Sequence, residues 1–215
     1  MSLSLNGRTA LVTGGARGIG LELTRQLMAR GCRVIVIGQN QTRLATLEQD
    51  FPGAVITRRA DLSSPAEVDA LVVDLVRDHP AIDILINNAG VQREMDLFAL
   101  PPTQATAFAR QEIATNLDAI VALTLGLLPV LARHERAAIV TITSGLAIAP
   151  KAASPVYGAT KAAARSFTRA LRYQCSRAAP QVRVSEAIMS LVATDMTAGR
   201  GSGKITPAPA AAAVL

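Results

Sequence analysis

Six short apolar runs recur along the chain, and a segment long enough for a helix separates each run from the next. The runs are continuously apolar rather than alternating, which is typical of strands buried on both faces of a sheet. A repeated strand-helix-strand order indicates parallel strands with right-handed crossovers, so the pattern predicts an α/β fold with a three-layer doubly wound parallel sheet. The predicted strands are Thr9–Thr13, Val34–Ile37, Val55–Thr57, Ile82–Ile86, Ala138–Thr143 and Val182–Ile188.

The segments between the runs carry helix signals. One helix is predicted to begin at Ser64, because Pro65 suits the first helical position and Glu67 is placed to complete a capping box with Ser64. Two longer helices are predicted from about Thr103 to Leu131 and from Pro155 to Ser176. Both are longer than one face of a sheet needs.

The length of 215 residues fits one domain with a substantial buried core. We predict that residues 1–198 form this domain. At residues 199–203 the composition turns to glycine and serine, and prolines and alanines follow. Residues 199–215 are therefore expected to be a flexible lid or tail, or else a truncated helix. The sixth run lies near the end of the sequence, which leaves open whether the sheet has a seventh strand.

Composition and charge argue against several classes of protein. The net charge of +6 comes from scattered basic residues, with neither a basic helix nor an aromatic platform for nucleic acid. The longest stretch without a charge, Ala119–Ala132, is shorter than the ~18 residues of a membrane span. The start Met1–Leu5 has no export signal, so we expect a cytoplasmic protein. Cys32 and Cys175 are too isolated for a disulfide framework, and no metal site is predicted.

Three glycines, Gly14, Gly18 and Gly20, follow the first predicted strand, where a helix is expected to begin near Ile19. Glycine lets the backbone approach a pyrophosphate closely, and a helix N-terminus presents free amides to its negative charge. The order of strand, turn and helix therefore predicts a dinucleotide-binding site. The spacing is Gly-x-x-x-Gly-x-Gly rather than the commoner Gly-x-Gly-x-x-Gly, and an ordinary tight turn is the alternative.

The end of the second strand bears on which nucleotide binds. Gln39 and Asn40 stand where such sheets normally carry an acid that bonds the adenosine ribose, and Arg17 and Arg43 lie in the turn and just beyond the strand. A phosphorylated ribose needs a cation and no acid. We therefore predict NADP(H) as the preferred cofactor, with Arg17 as the main phosphate contact and Gln39 and Asn40 as polar helpers. NAD(H), with solvated arginines, is the alternative.

Candidate catalytic residues lie further along the chain. Tyr157 and Lys161 are four residues apart on a predicted helix, so their side chains point the same way. A nearby cation favours phenolate, so Lys161 is expected to lower the pKa of Tyr157 from its usual value of about 10. Ser144 ends the fifth apolar run thirteen residues before Tyr157. The alternatives are a strand-end cap for Ser144 and a core aromatic for Tyr157, and the joint spacing argues against them.

Taken together, these residues resemble the short-chain dehydrogenase/reductase family in its single-domain form, over nearly the whole chain. The stretches around Asn88, Ser144 and Tyr157 are most similar to the branch named for an oxidoreductase linked to D-alanine transfer onto teichoic acids. The elements that match the family are the turn Thr13–Gly20, Asp61, Asn87–Gly90, Asn116, Ser144, Tyr157 and Lys161.

The resemblance implies a Rossmann fold and a catalytic tetrad of Asn116, Ser144, Tyr157 and Lys161. Within it, Asn116 is expected to hold a water on a proton route from Lys161 to solvent, and the alternative is a side chain bonded within its own helix. The implied activity is an NAD(P)-dependent oxidoreductase that transfers hydride between nicotinamide and a carbonyl or secondary alcohol, with Tyr157 as acid and base. The alternative is a catalytically silent dinucleotide-binding regulatory or interaction subunit.

The resemblance also assigns nucleotide contacts. Asp61 is expected at the adenine edge, and Lys161 at the nicotinamide ribose. Thr194 stands where the family's carboxamide-binding threonine falls, although Met189-Ser190 replaces the usual Pro-Gly. Asn88, Ala89 and Gly90 are expected beside the adenosine ribose. The full set of predicted contacts is Gly14, Ala16, Arg17, Gly18, Ile19, Gly20, Gln39, Asn40, Asp61, Leu62, Asn88, Ala89, Gly90, Tyr157, Lys161 and Thr194.

The substrate is expected to be a small carbonyl or alcohol compound. Its predicted pocket draws on Val91–Met95 and Gly145–Pro150, with residues 190–204 as a lid. Arg93 is a candidate partner for an anionic substrate, and an exposed surface arginine is the alternative. The two long helices are expected to pair across a twofold axis in a homodimer, with a tetramer as the alternative. No nucleic-acid or membrane partner is predicted.

Overall fold

The computed structural model describes residues 5–215, so most of the Met1–Leu5 segment used to judge export lies outside the described residues. All six predicted strands are present, and no end moves by more than two residues. They form one parallel sheet in the order β3-β2-β1-β4-β5-β6, which confirms the predicted α/β doubly wound fold. The strands are β1 (Thr9–Thr13), β2 (Arg33–Gly38), β3 (Val55–Arg59), β4 (Ile84–Asn87), β5 (Ala137–Ser144) and β6 (Val182–Met189).

Helices connect the strands and cover both faces of the sheet. The first of the two long predicted helices, expected from about Thr103 to Leu131, exists as two α-helices joined by a π-helical turn at Ala114–Asp118. Short 3-10 turns follow β5, at Gly145–Ala147, and β6, at Asp195–Thr197. The α-helices are α1 (Gly18–Ala29), α2 (Gln41–Asp50), α3 (Pro65–Asp78), α4 (Pro102–Ile113), α5 (Ala119–Leu131), α6 (Pro155–Ala178) and α7 (Pro207–Ala212).

The start of α3 follows the sequence prediction only in part. The Ser64 hydroxyl accepts a hydrogen bond from the Glu67 amide, as a helix cap should. The Glu67 carboxylate, however, accepts from the amide of Asp61 at 2.9 Å rather than from Ser64. The predicted reciprocal capping box is therefore replaced by a contact that ties α3 to the segment after β3.

Two apolar layers hold the helices on the sheet. Residues that alternate along β1 face opposite sides: Leu11 packs with α3, α5 and α6, whereas Val12 packs with α1, α2 and α7. Both side chains are fully buried, as continuous apolar strands predict. Among residues 5–215, one helix, Pro102–Leu131, is long and apolar enough to span a membrane by length and composition. The side chains of Leu123 and Leu127 on this helix are buried in the core of the domain. A core helix can have the same length and apolar composition as a membrane span.

The segment after β6 is ordered through local turns and two points of attachment. Val192 pairs with Ile205 in an isolated parallel bridge, and the glycines between them adopt positive φ. Beyond it, α7 packs against α1, with Ala211 fully buried and the Gln26 amide donating to the Ala208 carbonyl at 2.9 Å. A short helix thus occupies residues 207–212, and the domain boundary at residue 198 stays a prediction.

Candidate functional site

A cavity of about 690 Å³ lies at the carboxyl ends of the strands, which is where open parallel sheets bind ligands. Its wall includes every predicted nucleotide contact, from Gly14 in the first turn to Thr194 after β6, together with Ser144. Asn116 is the one member of the predicted tetrad that does not line it. Among residues 5–215, no cluster of His, Cys, Asp or Glu is arranged to hold a metal ion.

The turn from β1 into α1 has no room for side chains at its glycines. A Cβ added to Gly20 would lie 2.1 Å from the Gly14 carbonyl oxygen, and one added to Gly18 would lie 3.1 Å from Thr194. Gly14 and Gly18 also adopt positive φ, of 65° and 52°. The backbone is therefore bare along the N-terminus of α1, and this cradle fits the pyrophosphate of a dinucleotide.

Hydrogen bonds fix this turn to the end of β4. The Thr13 hydroxyl accepts from the amides of Asn88 and Ala89, both at 2.9 Å. The Asn88 side chain in turn donates to the Thr13 carbonyl at 2.8 Å. Asn88 thus has a structural task that the sequence did not reveal, since its side chain joins the two strand ends that border the cavity.

The polar residues after β2 are largely engaged with the protein. Gln39 donates to the Asp61 carboxylate at 2.8 Å. The side-chain oxygen of Asn40 caps α2 by accepting from the Arg43 amide at 2.9 Å. The Arg43 guanidinium pairs with Asp195 at 3.1 Å. Arg17 is exposed, and its side chain makes no hydrogen bond to the described residues. Of the two arginines here, it is therefore the one more available to a bound anion.

Ser144, Tyr157 and Lys161 meet where β5 ends and α6 begins. The Ser144 hydroxyl caps the following 3-10 turn by accepting from the Leu146 amide at 3.2 Å, and it lies close enough to the Tyr157 hydroxyl to lower the pKa of that phenol. Lys161 is buried, and its Nζ donates to the Ile142 carbonyl at 3.0 Å while lying 5.8 Å from the centre of the Tyr157 ring. The capping role considered for Ser144 is therefore real, and it coexists with the contact to Tyr157.

The electrostatics of this group differ from the expectation that Lys161 lowers the pKa of Tyr157. Burial of Tyr157 raises its pKa, and the nearby Ser144 hydroxyl only partly opposes that rise. Burial also lowers the pKa of Lys161 to about 8. Desolvation disfavours the charged form of both groups, so the phenol is held neutral here.

Asn116 lies in the π turn and bonds to neighbouring segments. Its amide oxygen accepts from the Val91 amide, and its nitrogen donates to the Val91 carbonyl, both at 2.8 Å. The same nitrogen donates to Thr160 at 3.2 Å. These bonds run to other segments rather than within its own helix, so Asn116 holds the Val91 backbone, and the water expected beside Asn116 stays a prediction. A Cβ on Gly90 would lie 3.3 Å from the Asn116 oxygen and 3.5 Å from the Lys161 Nζ, so there is little spare room at this position.

The predicted substrate segments contribute unequally. Of residues 145–150, Gly145 and Leu146 line the cavity, and much of the segment from Ser190 to Gly201 lines it. From Val91–Met95 the cavity receives three residues, and Arg93 is not among them. The Arg93 guanidinium instead stacks on Phe108 at 4.6 Å, so the structure does not support it as the partner of an anionic substrate.

Several charged residues at the site were not singled out from the sequence. Glu94, Lys151 and Arg200 line the cavity. Glu112 is fully buried beside them, accepts from the Arg93 amide at 2.5 Å and contributes to raising the pKa of Tyr157. Its position four residues before Asn116 was the available signal, because residues at that spacing share a helix face. Glu94 and Arg200 lie within the segments predicted to form the pocket and lid, and Lys151 directly follows a third, but nothing in the sequence indicated that the three would meet.

Comparison with known proteins bears directly on this geometry. The model of the short chain dehydrogenase family matches residues 8–204, which is most of the sequence. The chain belongs to the short-chain dehydrogenase family. The resemblance inferred from the sequence is therefore confirmed.

Relatives within this family agree with that assignment. The chain is 39% identical over 172 residues to the uncharacterized oxidoreductase DltE of Bacillus subtilis, covering 80% of this chain and 67% of DltE. It is 32% identical over 164 residues to the NADP-dependent 3-hydroxy acid dehydrogenase YdfG of Salmonella typhi, covering 75% of this chain and 64% of YdfG. A short chain dehydrogenase from Burkholderia cenocepacia, solved in complex with NADP, superimposes with a TM-score of 0.85 at 26% identity, over 99% of this chain and 84% of that one.

Proposed function

We propose that this chain is an NAD(P)-dependent oxidoreductase that transfers hydride between a nicotinamide nucleotide and a carbonyl or secondary alcohol, with Tyr157 as acid and base. One observation carries the proposal. A single cavity contains both the glycine turn that suits a pyrophosphate and the Ser144, Tyr157 and Lys161 group. A dinucleotide bound along the turn therefore shares its space with an acid that a reacting oxygen can reach.

The residues act as follows in the direction of reduction. A bound reduced nicotinamide supplies hydride to the carbonyl carbon. The Ser144 and Tyr157 hydroxyls hold the carbonyl oxygen, and fixed donors of this kind stabilise its growing negative charge by about 3 kcal/mol each. Tyr157 then transfers its proton to that oxygen, which completes the alcohol. A neutral phenol is the form required for this step, and burial of Tyr157 favours that form.

The buried lysine and the asparagine act behind the tyrosine. Lys161 lies on the same side of α6 as Tyr157, where its ammonium can bond the nicotinamide ribose and attract the phenolate left after proton transfer. Asn116 holds the Val91 backbone and so fixes the wall opposite Tyr157. A water held by Asn116, on a proton route from Lys161 to solvent, stays part of this proposal. The hydrogen bonds of the Asn116 side chain neither support nor oppose that water.

NADP(H) is the proposed preferred nucleotide. Arg17 supports this preference, since it is exposed at the cavity and free of side-chain partners among the described residues. Arg43 contributes less because it already pairs with Asp195. No carboxylate ends β2, where a ribose-binding acid would stand. The NADP dependence of YdfG and the NADP complex of the Burkholderia cenocepacia protein point the same way.

The test combines nucleotide titration with a screen of aldehydes, ketones and alcohols, followed at the nicotinamide absorbance. Tyr157→Phe should lower turnover by about 10³-fold, within the range for losing a general acid, and should change the dissociation constant of NADPH far less, because the glycine turn stays intact. Tyr173→Phe, an exposed change on the same helix, is the matched control. Full turnover by Tyr157→Phe would refute the catalytic assignment. Nucleotide binding without turnover of any compound would favour the silent binding subunit instead.

A homodimer is part of the proposal. The exposed apolar side chains Ile113, Leu125 and Tyr173 lie on the long helices that the sequence nominated for pairing. Light scattering at micromolar concentration should give twice the mass of one chain. A monomer at that concentration would contradict this pairing, and a tetramer would require a further contact surface.

A further inference from the structure

Three charged side chains from three different strand ends meet at one part of the cavity wall. Glu94 follows β4, Lys151 follows β5 and Arg200 follows β6. The Lys151 Nζ donates to the Glu94 carboxylate at 2.9 Å, and the Arg200 Nε lies 3.8 Å from the same oxygen. Two cations therefore share one carboxylate at this place.

Arg200 is the member of this group with unmet hydrogen-bonding capacity. A guanidinium has five N–H donors, yet the Arg200 side chain makes no hydrogen bond to the described residues. Its Nη1 is shut off from solvent without a partner, and the 3.8 Å to Glu94 exceeds hydrogen-bond length. Its Nε and Nη2 also make no hydrogen bond to the described residues, and the side chain is 26% exposed, so these donors are open to an anion in the cavity.

The other charges nearby do not supply that anion. Glu112 lies close enough to interact with Arg200, but its Oε1 accepts from the Arg93 amide and its Oε2 has no hydrogen-bond partner, so no hydrogen bond joins the two side chains. Arg93, the remaining cation here, bonds to Gln111 at 3.1 Å and does not line the cavity. Arg200 is thus the cation of this cluster that faces the cavity without a hydrogen-bonded partner.

The backbone also presents Arg200 to the cavity. It stands between Gly199 and Gly201, whose φ values of 72° and 58° shape a tight local turn. Its amide donates to the Thr197 carbonyl at 3.0 Å, which closes that turn. Ser144 and Tyr157 line the same cavity, so a substrate carboxylate at Arg200 would share one space with the two hydroxyls.

We propose that the substrate carries a carboxylate that Arg200 binds, with Lys151 beside it, so that the enzyme interconverts oxo acids and hydroxy acids. This proposal rests on the oxidoreductase function proposed above and names the substrate class for that site. Glu94 holds Lys151 and Arg200 at this wall, and the substrate carboxylate completes the pairing of two cations with two anions.

The test compares pyruvate, acetoacetate and levulinate with their methyl esters, at saturating NADPH. Esterification removes the negative charge of the carboxylate and leaves the ketone in place. The ratio of kcat/KM between acid and ester therefore measures the contribution of that charge. For the acid whose length fits, we expect a preference of about tenfold or more, in line with a hydrogen bond to a charged group. Arg200→Leu should abolish that preference by raising KM for the acid far more than KM for the ester, and Arg200→Lys should retain part of it.

Two controls separate this inference from its rivals. Arg93→Leu should leave the acid-to-ester ratio unchanged, and loss of the ratio there rather than in Arg200→Leu would overturn the proposal. The dissociation constant of NADPH should be the same in Arg200→Leu as in the unaltered protein. A large rise would show that Arg200 contacts the nucleotide phosphates, which would also overturn it.

Binding without turnover gives an independent measurement. In the presence of NADP⁺, the fitting acid should raise Tm more than its ester does, and Arg200→Leu should lose that difference. Equal rates and equal Tm shifts for acid and ester would refute the carboxylate site while leaving the oxidoreductase function in place. If neither these probes nor any aldehyde, ketone or alcohol of the wider screen is turned over, the proposed function fails, and the Tm comparison still decides whether a carboxylate binds at Arg200.

Discussion

The two ends of the cavity are built by different means. At the nucleotide end, the wall is backbone with no space for side chains, and Gly14 and Gly20 approach each other closely. At the substrate end, the wall includes partly exposed charged side chains such as Glu94 and Arg200, and a Cβ added to the neighbouring Gly201 would meet only the tip of the Leu191 side chain, at 2.7 Å. The difference indicates that main-chain geometry recognises the pyrophosphate of the nucleotide. Side-chain chemistry, which substitution can change, recognises the substrate.

The largest expected contrast comes from one methyl group placed in the nucleotide turn and one placed in the segment after β6. Gly20→Ala would set a Cβ 2.1 Å from the Gly14 carbonyl, so it should destabilise the fold by about 3 kcal/mol and abolish nucleotide binding. Gly203→Ala meets open space and incurs only the positive-φ penalty of about 1 kcal/mol. Urea unfolding and NADPH titration measure both. Equal losses in the two variants would show that the ends do not differ in tolerance.

The second contrast concerns the buried cation between the two ends. Burial lowers the Lys161 pKa from 10.5 to about 8, so the folded protein binds fewer protons than the unfolded chain between those values. Stability contributed by this group therefore rises as pH increases from about 8 to 10.5, and charged Lys161 lowers stability near neutrality by at most roughly 3 kcal/mol.

Lys161→Met should thus be inactive yet more stable than the unaltered protein at pH 7, with the gain shrinking as pH rises through that window. Paired urea unfolding curves near neutrality and in alkali measure this difference. A variant that is less stable at neutral pH would mean that the bond to the Ile142 carbonyl outweighs the desolvation of the ammonium.

The smallest effects are expected at exposed cations of the nucleotide end. Arg17→Gln should weaken NADPH binding by about tenfold and NADH binding little, since one charged contact to a phosphate is worth about 1.5 kcal/mol. Arg43→Gln should weaken NADPH binding less, because the Arg43 guanidinium is already ion-paired with Asp195. Arg177→Gln, at an exposed site on α6, controls for the change in net charge. Equal loss of NADPH and NADH affinity in Arg17→Gln would remove the basis for the NADP preference.

The sequence predicted the parts of this molecule that repeat a local rule. Continuous apolar runs identified all six strands, and the glycine spacing placed a backbone cradle after β1. Contacts between distant segments were beyond its reach. Nothing in the local sequence shows that Asn116 grips Val91, or that Glu67 turns back to Asp61. The sign of the Tyr157 pKa shift was also missed, because burial is a property of the packed structure.

The π turn at Ala114–Asp118 limits how this protein can change over generations. A π turn contains roughly one residue more than an α-helical turn, and one residue corresponds to about 100° of rotation around a helix. Deletion of one residue from the turn before Asn116 would rotate Asn116 by about that angle relative to the preceding helix. Its side chain would then point away from Val91. We expect lineages of this protein to vary in length at their loops and to keep the spacing from Glu112 to Asn116 invariant.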